Sequence, residues 1–188
     1  MERKKEILIP VVLGTAREGR KSEAAAKYMV RRVKELGVHS VLIDVREYAT
    51  CETYEPERDT PVTESWRETM EQSDGLVVVA PEYNHGYPGE LKIVLDSLYG
   101  EYDRKPVAVC GVSSGMLGGA RVVEQLRGVF VGLGMVPTKH AIYFSRAGKS
   151  AEGQEAEDFG EYDARSEKLI AELLWYAKVL KKAREEEA

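Results

Sequence analysis

Leu76-Val77-Val78-Val79-Ala80-Pro81-Glu82-Tyr83-Asn84-His85-Gly86-Tyr87-Pro88 is the stretch whose reading decides the fold of this chain. Leu76 to Ala80 is an unbroken apolar run rich in β-branched side chains, the pattern of a strand buried on both faces. Pro81 to Pro88 is a proline-bracketed turn, polar and crowded with rings. Gly89-Glu90-Leu91-Lys92-Ile93-Val94-Leu95-Asp96-Ser97-Leu98 follows, with Leu91, Val94, Leu95 and Leu98 at helical spacing, and predicts a helix over 89–99. A buried strand that feeds a helix through a turn presents that turn at the carboxyl edge of a sheet, where open α/β sheets take their ligands.

Outward from this unit the alternation continues. Residues 7–13 form another apolar run, a strand that is either irregular at Pro10 or begins late, because proline has no N–H for a sheet ladder. Gly14 to Lys21 is a polar loop. A helix then opens with Ser22 as candidate N-cap and Glu23 in its first turn, carries Ala25, Ala26, Met29, Val30, Val33 and Leu36 on one face, and stops at Gly37. Residues 38–45 read as a second strand, 47–61 as an irregular charged segment, and 63–72 as a short helix capped at or beside Thr63. Beyond the central unit come a strand at 106–112, a glycine-rich loop at 113–119, a helix at 120–133, a strand at roughly 139–144, a polar loop at 145–160 and a terminal helix at 162–186. Strands alternating with helices imply an α/β fold with a parallel sheet, here one domain over 1–188. With five strands in the pattern, we expect a flavodoxin-like three-layer sandwich whose five-stranded parallel sheet has the order 2-1-3-4-5.

Composition narrows the function classes. A net charge of −5 argues against non-specific nucleic-acid binding. Two cysteines, Cys51 and Cys110, are too few for a disulfide framework, and Cys110, inside an apolar run, reads as a buried thiol in a reducing compartment. No apolar run approaches the ~20 residues that span a bilayer. The charged start, Met1 to Glu6, leads into a strand and does not read as a signal peptide. The expectation is a cytoplasmic protein with no membrane partner.

In a 2-1-3-4-5 sheet, strands one, three and four are neighbours, so the loops at their carboxyl ends converge on one crevice. The first loop, Gly14 to Ser22, opens a helix, whose free N–H groups and positive dipole end suit a phosphate. Arg17 offers a planar fork, and Thr15 and Ser22 offer hydroxyl hydrogens. A solvated basic turn with an ordinary serine cap is the plain structural alternative. The loop has neither the Gly-x-Gly-x-x-Gly fingerprint of dinucleotide sites nor the Gly-Lys-Ser/Thr ending of triphosphate sites. In the second loop, backbone amides and Asn84 can bond the polar edge of a planar heterocycle, while Tyr83, His85 or Tyr87 pack on its rings; the alternative is a rigid turn whose rings pack on the helix. The third loop, Ser113 to Gly119, allows close backbone approach to a flat ligand or is simply a flexible connection. No nucleophile and no metal-ligating cluster stands out in these loops.

The combination resembles the FMN-dependent NAD(P)H reductases, the flavodoxin-like family of quinone, azo-dye and chromate reductases, over roughly residues 6–145. The segment 81–92 matches the family's flavin-edge motif almost residue for residue, and Gly14, Thr15 and Arg17, with Ser22 at the helix start, match its phosphate motif. The resemblance implies that Thr15, Arg17, Arg20 and Ser22 hold the FMN phosphate. It implies that Pro81, Glu82, Tyr83, Asn84, His85 and Gly86 line the isoalloxazine, and that Ser113 and Gly115 meet its pyrimidine end. It further implies hydride transfer from NADPH or NADH through FMN to a small-molecule acceptor, such as a quinone, an azo compound, a metal oxyanion or free flavin, with no catalytic side chain because the flavin carries the chemistry. Segments 51–59 and the tail after Ser145 depart from the family pattern.

The resemblance further implies a dimer, the family habit, and the expectation here is a homodimer or homotetramer. The helix 120–133 offers a partial reason, because Val123 and Val131 broaden its stripe of Val122, Leu126, Val129, Phe130 and Leu133 beyond what one sheet face needs. Two other functions compete. A flavodoxin-type electron carrier would bind FMN without a substrate of its own, but the cationic first loop and the modest acidity favour the enzyme. A response-regulator-like domain would need an acidic cluster after strand one, where Arg17 stands instead.

Overall fold

A computed structural model describes residues 6–48, 60–148 and 159–187. Alternation of side chains along its strands creates two cores. In β3 (Leu76–Pro81), Val77 and Val79 face one layer of helices while Leu76, Val78 and Ala80 face the other. The same division runs through β1 (Val11–Leu13) and β4 (Pro106–Val112). Helices α1 (Ser22–Glu35) and α5 (Asp163–Glu187) cover the first face; α2 (Pro61–Gln72), α3 (Gly89–Asp96) and α4 (Ala120–Gly132) cover the second. Each fully buried Val or Leu contributes roughly 1.5–3 kcal/mol of transfer free energy. Apolar runs with no polar alternation therefore specify a central sheet covered on both sides.

The sheet is parallel, with the order β2-β1-β3-β4-β5 and β2 at Leu42–Asp44, as expected. The fifth strand is divided, however. β5 (Val136–Pro137) pairs with Pro106 and Val107, and β6 (Ile142–Phe144) pairs with Cys110 to Val112 further along the same edge of β4. Pro137 can supply no N–H at the break, and Thr138 N donates to Val107 O before the chain leaves the ladder.

Local signals explain other departures. β1 begins after Pro10, whose carbonyl accepts from Val77 N; upstream, Leu8 makes only an isolated bridge to His39. β2 gives way at Val45 to a 3-10 turn, with the Asp44 side chain accepting from Arg46 N. α2 is capped by Thr60, which forms a reciprocal capping box with Thr63, and Pro61 sits in its first turn. Trp66 Nε1 donates to Tyr102 OH at 2.7 Å inside the second core, so both buried polar groups are satisfied. Cys110 is a free buried thiol, and burial pushes its pKa up to about 12, which keeps it unreactive. Cys51 and most of the segments 47–61 and 145–160 lie outside the described residues.

Candidate functional site

The loops after β1, β3 and β4 meet as the topology requires. They bound a crevice of about 390 Å³ lined by residues 17–22, by Pro81, Glu82 and Tyr83, by Val112, Ser113 and Ser114, and by Ala147. Arg17 lies with its guanidinium carbon 5.3 Å from the centre of the Tyr83 ring, so the cationic loop and the ring-bearing turn are in contact.

Within the first loop the four expected phosphate residues part company. Ser22 is the first residue of α1 and not its cap; Lys21 precedes it in a helical conformation, and no side chain caps the helix. Ser22 is 1 % exposed, and its Oγ has no hydrogen-bond partner. Leaving a buried hydroxyl unsatisfied costs about 1–3 kcal/mol. Beside it, the first-turn N–H groups of α1 have no intrahelical acceptor. This is a donor set suited to an anion. Arg17 is exposed at the crevice and can reach the same place.

Arg20 and Thr15 are already engaged within the protein. The Arg20 side chain is nearly buried, and all five of its N–H groups are used: two bond Asp44, two bond Glu23 and one bonds Thr15 O at 2.6 Å. The hydrogen bond to Asp44 holds the guanidinium pKa above its ordinary value against the opposing effect of burial. Thr15 is buried, and its hydroxyl is also fully engaged. It donates to Glu90 Oε1 at 2.7 Å and accepts from Arg17 N at 3.3 Å, leaving Tyr83 OH, 3.1 Å away, as a second donor to it. Neither side chain has a hydrogen left for a phosphate.

The second loop closes as a two-residue turn. Tyr83 N donates to Gly86 O and Gly86 N to Tyr83 O, both at 2.9 Å, and Asn84 and His85 between them have φ of 48° and 69°. That is the type I′ pattern, in which Asn fits its position and His occupies one normally taken by Gly. Pro81 is buried in β3, and Glu82 N extends the ladder to Val112 O. The Glu82 carboxylate accepts from Arg121 N at 3.1 Å and Arg121 Nη1 at 2.9 Å, tying the turn to α4. His85 O accepts from Gln125 Nε2, a second tie to that helix. Asn84 and His85 are exposed at the tip, beside the crevice lining rather than in it.

In the third loop the glycines serve the loop itself. A Cβ on Gly118 would come within 2.6 Å of the Tyr143 backbone and one on Gly119 within 2.6 Å of Val112 N, and both have positive φ. They pack the loop against the sheet edge; a Cβ on Gly115 would meet Ser113 Oγ at 3.8 Å, an ordinary contact. Ser113 lines the crevice, and Ala147 N donates to Ser113 O, which joins this loop to the segment after β6. Lys21, Ser114 and Ala147 were not singled out from sequence, because each is an ordinary loop residue until the topology brings it to the crevice. Glu90 and Arg46 were also missed: one reads as a first-turn acid, the other as a solvated charge.

Comparisons with known proteins agree with this fold. A family model described as NADPH-dependent FMN reductase matches residues 7–149. An NAD(P)H-dependent FMN reductase of Schizosaccharomyces pombe is 40% identical over 86 residues, covering 45% of this chain and 42% of that protein. The chain thus spans about two fifths of that relative's length. A quinone reductase of Pseudomonas putida is 30% identical over 136 residues, covering 68% of this chain and 71% of that protein. Among solved structures, a flavoenzyme NAD(P)H:(acceptor) oxidoreductase from Paracoccus denitrificans superposes with a TM-score of 0.74 at 23% identity, covering 92% of this chain and 98% of the other. At that identity the superposition speaks for the fold.

Proposed function

Because this chain belongs to the NADPH-dependent FMN reductase family, we propose that it is an FMN-dependent oxidoreductase, using NADPH or NADH to reduce a small acceptor such as a quinone, an azo compound, a metal oxyanion or free flavin. The observation that carries this reading is the buried, partnerless Ser22 hydroxyl at the start of α1, beside Arg17 in the lining of a crevice shared by the β3 and β4 loops. These residues fit FMN. Ser22, the first-turn N–H groups of α1 and Arg17 would hold its phosphate. Pro81, Glu82 and Tyr83, with the Asn84–Gly86 turn, would line the ring system, and Ser113 and Gly115 its pyrimidine end. Bound FMN supplies hydride acceptance and two-electron delivery, chemistry that no side chain of this crevice offers. The protein contributes position: Arg121 and Gln125 tie the ring-lining turn to α4 and keep it from drifting.

We place the protein in the cytoplasm, a reading supported by the free buried Cys110. Among the described residues, no helix is long and apolar enough to cross a membrane. Assembly as a homodimer or homotetramer is supported by α4, through one of the two positions expected to broaden its stripe. Val123 is wholly buried in the core, whereas Val131 is 65% exposed, and Gly128 and Gly132 beside it have open space where a Cβ would stand. A sedimentation mass equal to the monomer would overturn that part of the reading.

The test of function is the visible spectrum of purified protein supplied with FMN, before and after anaerobic NADPH or NADH. Loss of the oxidised flavin bands is expected. Protein that binds FMN but stays oxidised under both nucleotides is an electron carrier, and protein that ignores FMN refutes the assignment.

A further inference from the structure

We propose that Glu90 is the positioning residue of the phosphate loop, acting through Thr15 and Ala16 to hold the loop in its anion-binding shape. The inference rests on the FMN reading above. Glu90 lies in the first turn of α3, a helix whose start, Pro88, has no side-chain cap. Such an acid ordinarily serves its own helix end. Here Oε1 crosses to a loop 75 residues away in sequence, accepting from Thr15 Oγ1 at 2.7 Å and Ala16 N at 2.8 Å.

Donor and acceptor counts fix the direction of every bond in this cluster. Burial would raise the Glu90 pKa, but the hydrogen bonds from Thr15, from the Glu90 backbone and from Ala16 together hold it below its ordinary value, so the group is a carboxylate and only accepts. The single Thr15 hydroxyl hydrogen therefore goes to Glu90. Both oxygen lone pairs of Thr15 are then free to accept, one from Arg17 N and one from Tyr83 OH. The loop carbonyls are held from the other side: Thr15 O by Arg20 Nη1, and Ala16 O and Arg17 O by Arg46 Nε and Nη2 at 2.9 and 2.6 Å. Carbonyls that would repel a phosphate are thus occupied by guanidinium groups, and the N–H groups of Ala16 and Arg17 are held by Glu90 Oε1 and Thr15 Oγ1. The Arg17 side chain is left on the crevice side, over Tyr83. Glu90 is the anchor of this arrangement. Without it Ala16 N–H loses its acceptor and the Thr15 hydroxyl is free to rotate.

Riboflavin has the same rings as FMN but no phosphate, so the pair separates loop positioning from general damage. Dissociation constants for both flavins, measured by fluorescence titration, form the test. In Glu90→Ala, FMN affinity should fall about tenfold or more while riboflavin affinity changes less than about twofold. Because Oε1 alone makes both bonds, Glu90→Gln retains a suitable acceptor and should keep FMN affinity within about threefold of wild type. If Glu90→Ala does not fold, Thr15→Val carries the test: it removes the hydroxyl with little change of shape and should shift the FMN-to-riboflavin ratio in the same direction. An unchanged ratio in the folded variant tested, or equal loss with Glu90→Gln and Glu90→Ala, overturns the role of Glu90 while leaving the FMN assignment intact. Wild-type protein that binds neither flavin overturns both.

Discussion

Ser22 is the residue whose environment most needs explaining. A serine hydroxyl with neither acceptor nor water access opposes folding, since a buried polar group without a partner costs about 1–3 kcal/mol. Under the FMN reading proposed above, a bound phosphate would supply the missing acceptor. Ser22→Ala should therefore weaken FMN binding by about 1 kcal/mol and leave the flavin-free protein at least as stable as wild type. Paired thermal melts and FMN titrations check this, and lower stability without FMN would show the hydroxyl to be satisfied already. That Arg17, Ser22 and Tyr83 meet at one crevice was legible in the sequence, because they stand in loops whose chemistry is written in consecutive residues. Arg20 and Thr15 belong to the same stretch, yet their hydrogens go to Asp44, Glu23 and Glu90. Partners that lie 24 and 75 residues away are invisible to local reading.

Among the elements, the Tyr83–Gly86 turn combines rigidity with strain. Its central residues are both left-handed, and His85 has a Cβ that this conformation disfavours. The turn is held in place by its own pair of hydrogen bonds and by Gln125 from α4. His85→Gly should relieve the strain and stabilise the protein by about 0.5–1 kcal/mol, seen as a higher urea midpoint. Unchanged or reduced stability would mean that the imidazole makes a compensating contact. Element type and sequence order followed from apolar periodicity, and the adjacency of the three loops from the strand order that five alternating strands prefer. The division of the last strand did not: the sequence reads as a single strand at roughly 139–144, which takes in β6 but not β5, and the pairing is set by where β4 offers free edge positions.

Across the whole molecule, the amino edge of the sheet carries a second buried charge cluster, remote from the crevice. Lys105 is 7% exposed and donates to Met70 O; near it lie Asp74, Arg184, Glu71 and Glu101. Burial, assisted by repulsion from Arg184, pushes its pKa down to about 8 from an ordinary 10.5. Between these values the unfolded chain holds a proton that the folded chain has released, so this group makes stability rise with pH across that window and lowers it below pH 8. Lys105→Met should be more stable than wild type at pH 7 by on the order of 1–3 kcal/mol, the gap closing towards pH 10. Met70 O keeps Ser73 N and Ser73 Oγ as donors, so the substitution orphans no acceptor. Urea unfolding at the two pH values decides, and a gap independent of pH would place the Lys105 pKa elsewhere. The sequence by itself determined the layered architecture, the strand order and the identity of the crevice loops, because these follow from short-range periodicity and from topology rules that need no coordinates. Only the tertiary structure decided which loop side chains remain available for a ligand. Availability is what is left after every donor has found its acceptor, and those acceptors come from elements far apart in the chain.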